Sequence, residues 1–107
     1  MPAQAAGEWT SDLGGHGGTW RFGIAQHFQM LDVQIRAQGR DLLVRNTRLR
    51  GEEIKLVVTG IVGARAWHHY FVGTLRGDRI EGSVNISDGN NMKTLPWIAT
   101  RSRARAR

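Results

Sequence analysis

Histidines are the residues of this sequence best suited to acid–base or metal chemistry near neutral pH. His68 and His69 are adjacent, and neighbouring residues of a strand point to opposite faces, so the two cannot hold one metal ion from a single strand. His16 and His27 lie far from this pair in sequence, and no HxH or HExxH spacing is present. Cysteine is absent, which excludes disulfides, thiolate metal sites and Cys nucleophiles. We therefore predict no metal site.

Other groups that could react also lack a recognisable setting. No GxSxG elbow surrounds a serine, and the glycine-rich run of residues 14–18 is not followed by the Lys-Ser/Thr pair of a phosphate-binding loop. Four carboxylates fall at predicted turns, where water solvates them: Glu52, Glu53, Asp78 and Asp88. A stand-alone enzyme would have to combine His69 with a carboxylate on a strand, such as Asp32. We predict no catalytic residue and no cofactor.

The stretch that positions His69, residues 67–84, is typical of two strands joined by a two-residue turn at Gly77-Asp78. Pairing outward from that turn sets these residues opposite each other: Arg76 and Arg79, Leu75 and Ile80, Gly73 and Gly82, Phe71 and Val84. His69 then faces inward together with Trp67 and Phe71. The glycines at 73 and 82 are expected to leave room on that inner face.

A second hairpin is predicted by LRGEEI at 49–54, which repeats the LRGDRI of residues 75–80. It sets these residues opposite each other: Leu49 and Ile54, Thr47 and Leu56, Arg50 and Glu53. Period-two alternation elsewhere completes a set of eight short strands: residues 8–13, 19–26, 28–37, 42–50, 53–62, 67–75, 79–87 and 95–101. In residues 28–37 the first apolar positions, Phe28 and Met30, are out of step with the later apolar–polar alternation, which predicts a bulge near Met30 or Leu31. A helix over 28–38 is the alternative there.

Consecutive strands joined by tight turns form a meander, and eight of them close without leaving an unpaired edge. We predict an all-β fold, a small antiparallel up-and-down β-barrel, with a two-sheet β-sandwich as the alternative. Residues 1–7 are expected to form a flexible N-terminus, residues 8–101 the barrel domain and residues 102–107 a basic tail. Trp9 near the start should meet Trp97 of the last strand at the closing seam.

The formal net charge is +6, from 15 Lys and Arg against 9 Asp and Glu. Four C-terminal arginines account for most of the excess: Arg101, Arg103, Arg105 and Arg107. With the arginines on the strands, they are the basis of an alternative function, binding to nucleic acid or another anionic surface. The chain has no apolar run of about 18 residues, so no membrane span is predicted. Its first residues lack the pattern of a secretory signal.

Several turn and packing motifs carry a family resemblance. They are Gly18-Thr19-Trp20-Arg21-Phe22, Gln26-x-Phe28-Gln29, Gly39-Arg40, Arg48-Leu49-Arg50-Gly51-Glu52-Glu53-Ile54, Gly73, Gly77-Asp78-Arg79-Ile80-x-Gly82-x-Val84 and Trp97-x-Ala99-Thr100-Arg101. Together they resemble the C-terminal β-rich extension that follows the catalytic domain in a group of bacterial S-adenosylmethionine-dependent methyltransferases, over residues 8–101. The methyltransferase half, with its parallel sheet and Gly-rich cofactor loop, is absent here, so the resemblance carries over no cofactor-binding or methyl-transfer residue.

The predicted function is that of a non-catalytic accessory or binding module. Either it docks to a partner, which the resemblance implies to be a catalytic domain, or it holds a small apolar ligand inside the barrel. The candidate ligand-binding residues face the interior: Trp67, His69, Phe71, Trp20 and Trp97. Nucleic-acid binding is the first alternative and a stand-alone enzyme the second. The apolar strands are also compatible with a homodimer.

Overall fold

A computed structural model describes residues 5–14, 16, 18–27, 30–62 and 65–102. Within these ranges every regular element is a strand, because the alternation of apolar and polar residues lets each stretch bury one face. The strands are β1 (Gly7–Asp12), β2 (Thr19–His27), β3 (Met30–Ala37), β4 (Arg40–Arg50), β5 (Glu53–Val62), β6 (Arg65–Arg76), β7 (Arg79–Ser87) and β8 (Met92–Arg101).

The eight strands form a closed barrel, since each pairs antiparallel with the next in sequence and β8 pairs with β1. This confirms the predicted up-and-down barrel rather than the two-sheet sandwich. The four residue pairs predicted for the β6–β7 hairpin occur, and so do the three predicted for the β4–β5 hairpin. Gly51 and Gly77 begin the two turns at φ of 60° and 62°, in the left-handed region where glycine avoids a Cβ clash.

Strand β3 is regular, so the predicted bulge near Met30 or Leu31 and the alternative helix are both wrong. It pairs with β2 without a register shift along its whole length. The apolar–polar alternation is broken at Met30 because this apolar side chain points to solvent, with 75% of its surface exposed. The next residue, Leu31, is half-buried. Phe28, the other residue out of phase, lies outside the described residues.

Strand β4 contains a bulge at Arg45, which is the extra residue between two successive register positions on β5. Before the bulge Leu42 is buried and Leu43 is exposed; after it Leu49 is buried. Strict alternation from Leu42 would turn Leu49 outward, because the two positions differ by an odd number. The bulge therefore lets both ends of β4 contribute to one core.

Aromatic rings fill the centre of the barrel. Trp20, Phe22, Phe71 and Trp97 are each at most 1% exposed, and the ring centroids of contacting pairs lie 4.8 to 6.4 Å apart. Most of these contacts are tilted or edge-to-face, which suits the charge distribution of aromatic rings. Side chains thus occupy the middle of the barrel, as expected for eight strands.

The glycines at 73 and 82 do not leave empty space, contrary to the prediction. A Cβ atom on Gly73 would lie 2.6 Å from Cγ2 of Ile80 and 3.0 Å from Cζ3 of Trp97, so these two side chains already occupy the volume. A Cβ atom on Gly82 would overlap the carbonyl oxygen of Val72. The lack of a side chain at Gly73 thus makes room for the core side chains of Ile80 and Trp97, and at Gly82 it lets the backbone of β6 approach closely.

The seam between β1 and β8 has three residue pairs, and the side chain of Arg101 reinforces it. Its guanidinium donates from Nη1 to the carbonyl of Ala6 and from Nη2 to the carbonyl of Gly77, both at 2.7 Å. Its Nε lies 3.0 Å from Oδ1 of Asp78. One side chain therefore joins the segment before β1, the β6–β7 turn and the end of β8.

Trp9 meets Arg101 at the seam, so the predicted meeting of Trp9 with Trp97 is wrong. The guanidinium carbon lies 4.5 Å from the centre of the Trp9 ring, a cation–π contact. Trp97 instead packs in the centre against Phe22 and Phe71. The reason is register: Trp9 pairs with Arg101, four residues beyond Trp97 along β8.

The N-terminal side of the barrel includes Ala5, which is buried. Its N–H donates to Oε1 of Gln26 at 2.7 Å, and β1 begins at Gly7. Residues 1–4 and 103–107 lie outside the described residues. The flexible N-terminus and the basic tail therefore stay predictions.

The substitution Gly82→Ala is expected to destabilise the barrel by about 2 kcal/mol or more, because the new methyl group would force β6 and β7 apart. Gly23→Ala is the matched control: it is also a strand glycine, but its Cβ would meet only the carbonyl oxygen of Gln34, at 3.9 Å, so its effect should stay within about 0.5 kcal/mol. Urea unfolding followed by tryptophan fluorescence measures both. An equal decrease in the free energy of unfolding in the two variants would contradict the close approach of β6 and β7 at Gly82.

The substitution Arg101→Lys keeps the positive charge but loses the planar fork that reaches Ala6 and Gly77 together. We expect it to lower the free energy of unfolding by about 1–2 kcal/mol. Arg79→Lys is the control, because Arg79 pairs with Glu81 at 2.7 Å on the surface, where an ion pair contributes less than about 1 kcal/mol. Thermal unfolding followed by circular dichroism compares them, and an equal cost at both positions would remove the special role of Arg101.

Candidate functional site

The loop between β1 and β2 brings His16 over one end of the barrel and onto His69 of β6. The two Nε2 atoms lie 2.9 Å apart, although 53 residues separate them in sequence. His69 is fully buried and His16 is 4% exposed. The predicted inward direction of His69 is thus confirmed, and its neighbour His68 points to the exposed outer face.

Hydrogen bonds within the loop hold His16 in place. Nε1 of Trp20 donates to the carbonyl of His16 at 2.9 Å. The N–H of Leu13 donates to the carbonyl of Gly18 at 2.9 Å, and the N–H of Gly18 donates to the carbonyl of Gly14 at 3.0 Å. Gly14 and Gly18 have φ of 60° and 66°, so glycine is what lets the chain fold back here.

The carbonyl of Val58 determines where the protons of the histidine pair lie. Nδ1 of His69 is 3.2 Å from that oxygen, and because a carbonyl can only accept, Nδ1 of His69 carries a hydrogen. In a neutral ring Nε2 of His69 is then an acceptor, and Nε2 of His16 donates to it. The buried ring of His69 thus has a partner at each nitrogen, as buried polar groups require.

Burial keeps both imidazoles neutral. It is the main reason that the pKa of His69 falls from 6.5 to about 4; the hydrogen bond to Val58 opposes the fall, and the neighbouring His16 and His68 add to it. Burial also lowers the pKa of His16, and the positive charge of Lys93 acts in the same direction. At neutral pH the pair therefore places no charge inside the barrel end.

Among the described residues, no carboxylate is bonded to the histidine pair, whose partners are each other and the carbonyl of Val58. Asp32, the strand carboxylate considered for acid–base catalysis with His69, is exposed on the outer face of β3, opposite Ala25. Among the described residues, no group of three His, Cys, Asp or Glu side chains could hold a metal ion. A neutral pair bonded ring to ring links the loop to the barrel, and we assign it that structural role.

The residues predicted to face the interior lie in one connected cluster. Trp20 has ring-centroid distances of 4.8 Å to His69 and 5.7 Å to Phe71, and Phe71 lies 4.8 Å from Trp97. Trp67 is half-buried at the barrel end, where its ring meets His16 edge-on at 4.9 Å. Ligand binding by this cluster stays a prediction.

Of the four C-terminal arginines, the described residues include Arg101 alone. Its side chain is 19% exposed, and its guanidinium is bonded within the seam. Arg103, Arg105 and Arg107 lie outside the described residues. Their predicted contact with nucleic acid stays a prediction.

Sequence reasoning missed His16 as the partner of His69. Two signals were present: a single histidine stands in the glycine-rich loop after the first strand, and His69 lies in the first half of a later strand that starts at the same barrel end. Hairpin pairing relates only neighbouring strands. The contact between the first loop and β6 emerges only when the barrel is closed.

Comparisons with protein-family models, with curated proteins and with solved structures found no match to the chain. The fold itself defines the class of protein: a closed eight-stranded antiparallel up-and-down barrel with an aromatic core. The part of the chain that the structure describes contains no helix long and apolar enough to cross a membrane.

The lowered pKa of His69 predicts a loss of stability in acid. The unfolded chain binds a proton at this residue below about pH 6.5 and the folded one only below about pH 4, so the contribution of the neutral ring is complete above pH 6.5 and is lost as pH falls toward 4. His69→Gln keeps a side chain that can donate and accept but does not titrate. It should reduce the slope of unfolding free energy against pH by up to about 1.4 kcal/mol per pH unit.

Urea unfolding at a series of pH values between 4 and 7.5 measures that slope. His27→Gln is the matched control, because it makes the same replacement at an exposed histidine of β2. If wild type and His69→Gln lose stability in parallel, the buried neutral state of His69 does not contribute.

Proposed function

We propose that this chain is a non-catalytic accessory module that docks onto a partner protein domain. The single observation that carries the proposal is the direct packing of Trp20, Phe71 and Trp97 across the barrel centre. His16 and His69 are bonded to each other, so they offer no free reactive group to a substrate. The outer surface of the barrel is what remains for interactions.

A surface pocket on β1–β3 is too polar and too open for a small apolar ligand, which supports docking over the carriage of such a ligand. A cavity of about 470 Å³ opens on the outside of β1–β3, beside Arg21 and Arg36. Charged walls and wide exposure to solvent do not suit an apolar molecule, which binds in enclosed, mainly apolar pockets. A ligand inside the barrel would have to displace the ring contacts that form the core.

The resemblance to the β-rich extension of bacterial S-adenosylmethionine-dependent methyltransferases indicates the kind of partner. In that group the extension accompanies a catalytic domain, and we propose that a catalytic domain of this class is the partner here. The motifs behind the resemblance include Gly77 and Gly82, which serve turns and close packing. They therefore support a shared fold and carry no catalytic role.

Binding to single-stranded nucleic acid is a second candidate, favoured by the exposed arginines of β4. Such binding also uses exposed aromatic rings; Tyr70 is 43% exposed, whereas the four tryptophans are buried or half-buried. A salt titration separates the two functions, because affinity for an oligonucleotide should fall steeply as salt rises. Absence of binding at about 50 mM salt would exclude this candidate.

Native mass spectrometry of the protein, isolated from its own cells under mild conditions, tests the docking proposal. We expect the chain in an assembly with a second, different protein, which separates on denaturation. An added mass of a few hundred daltons, on the scale of a small-molecule ligand, would identify a ligand carrier and contradict docking. The bare chain alone, at physiological salt, would contradict both functions.

A further inference from the structure

Exposed apolar side chains gather on one outer face of the barrel. Of the seven large hydrophobic residues that are exposed in the described part of the chain, four lie on β4–β6: Leu43, Ile61, Tyr70 and Val72, at 58%, 47%, 43% and 37% exposure. Half-buried Val57 lies among them. We call these five residues the apolar patch. Scattered hydrophobic residues need no explanation, but a contiguous group marks an interaction site.

The strand register makes the apolar patch contiguous. Val57 lies directly opposite Tyr70 across β5 and β6. Thr59, two residues further on the same face of β5, lies opposite Leu43 of β4. Ile61 follows Thr59 on that face, since alternate residues of a strand share a direction. The patch therefore crosses three neighbouring strands, with Thr59 and His68 paired at its centre and Lys55, directly opposite Val72, at its edge.

A row of arginines borders the patch along β4. Arg45 occupies the bulge two residues after Leu43, and Arg48 and Arg50 follow it, all three exposed. Arg48 lies directly opposite Lys55 of β5, and like charges in this arrangement repel. None of the ion pairs among the described residues involves these three arginines. We call Arg45, Arg48 and Arg50 the arginine stripe.

We propose that the apolar patch and the arginine stripe together form the docking surface, and that its occupant is a protein surface with an apolar centre and acidic residues along one side. This inference rests on the proposed docking function and specifies its face and the chemistry of the partner. Protein interfaces combine an apolar centre with a polar border. Because the arginine stripe has no ion-pair partner among the described residues, a partner surface with acidic residues on the facing side is electrostatically complementary to it.

A second copy of the chain fits this surface less well than an acidic partner. Among the described residues of β4–β6, the carboxylates are Asp41 and Glu53. Both already pair within their own chain, Asp41 with Arg36 at 3.4 Å and Glu53 with Lys55 at 3.8 Å. Two copies face to face would bring two arginine stripes together with Glu52 of the β4–β5 turn as the one unpaired carboxylate among the described residues nearby, on chains that each carry a net charge of +6.

A photoreactive residue, p-benzoylphenylalanine, tests which face docks. It replaces Tyr70 in the full chain, where it resembles the natural aromatic ring, or Gln34, which is exposed on β3 outside the patch. Both proteins are produced in the native cells and irradiated there. We expect a single product with a different protein from position 70, and at least about tenfold less of it from position 34.

Charge reversal tests the chemistry of the partner. With the photoreactive residue at position 70, Arg48→Glu is expected to lower the yield of the product roughly tenfold, because it removes attraction and adds repulsion at the border. Arg21→Glu makes the same change in net charge on exposed β2, outside the patch, and should change the yield by less than about twofold. Thermal unfolding verifies that both variants fold.

The outcomes separate the surface from the function. Equal or greater yield from position 34 would overturn the assigned face and leave docking in place. A product of twice the chain's mass would identify a second copy as the occupant, and insensitivity to Arg48→Glu would overturn the acidic border. No product with another protein from either position would contradict the docking function itself.

Discussion

Closure of β1 against β8 is the constraint on which the rest of the barrel depends. Three residue pairs join these strands, compared with ten between β5 and β6, so the ladder alone is short. Arg101 adds bonds to Ala6 and Gly77 and a cation–π contact with Trp9. A sheet with two open edges thereby becomes a barrel without edges, and the positions of all the loops follow from that closure.

The interior of a closed barrel of this size is filled by its own side chains. The space that the aromatic rings occupy explains why glycine is needed on the strands beside them. The Trp97 indole fits only because Gly73 has no side chain, and β6 and β7 approach closely only because Gly82 has none. This packing has a cost, since Nε1 of Trp97 is buried without a hydrogen-bond partner among the described residues, a penalty of about 1–3 kcal/mol. At the barrel end, His16 and His69 avoid such a penalty by bonding to each other.

Local patterns predicted most of the fold because the register of a tight hairpin follows from its turn. Gly51 and Gly77 were sufficient to predict both hairpins. The bulge at Arg45 could not be predicted, since three consecutive apolar residues, 42–44, allow either phase until β5 is in place. The histidine pair escaped prediction for a different reason: it joins a loop to a distant strand, and only closure places them at one barrel end.

The same closure decides where this protein can act. Alternation along the strands identifies Tyr70 and Val72 as outward residues, but which outward residues lie side by side depends on the order of strands around the barrel. On β4–β6 the apolar patch lies beside the arginine stripe, whereas on β1–β3 the exposed residues include Arg21, Arg36 and Asp32. In the docking function that we propose, the outer surface of the barrel binds the partner, and strand order divides that surface into an apolar region and charged ones. Specific recognition through the apolar region then requires a partner that is complementary both to its side chains and to the arginines beside it.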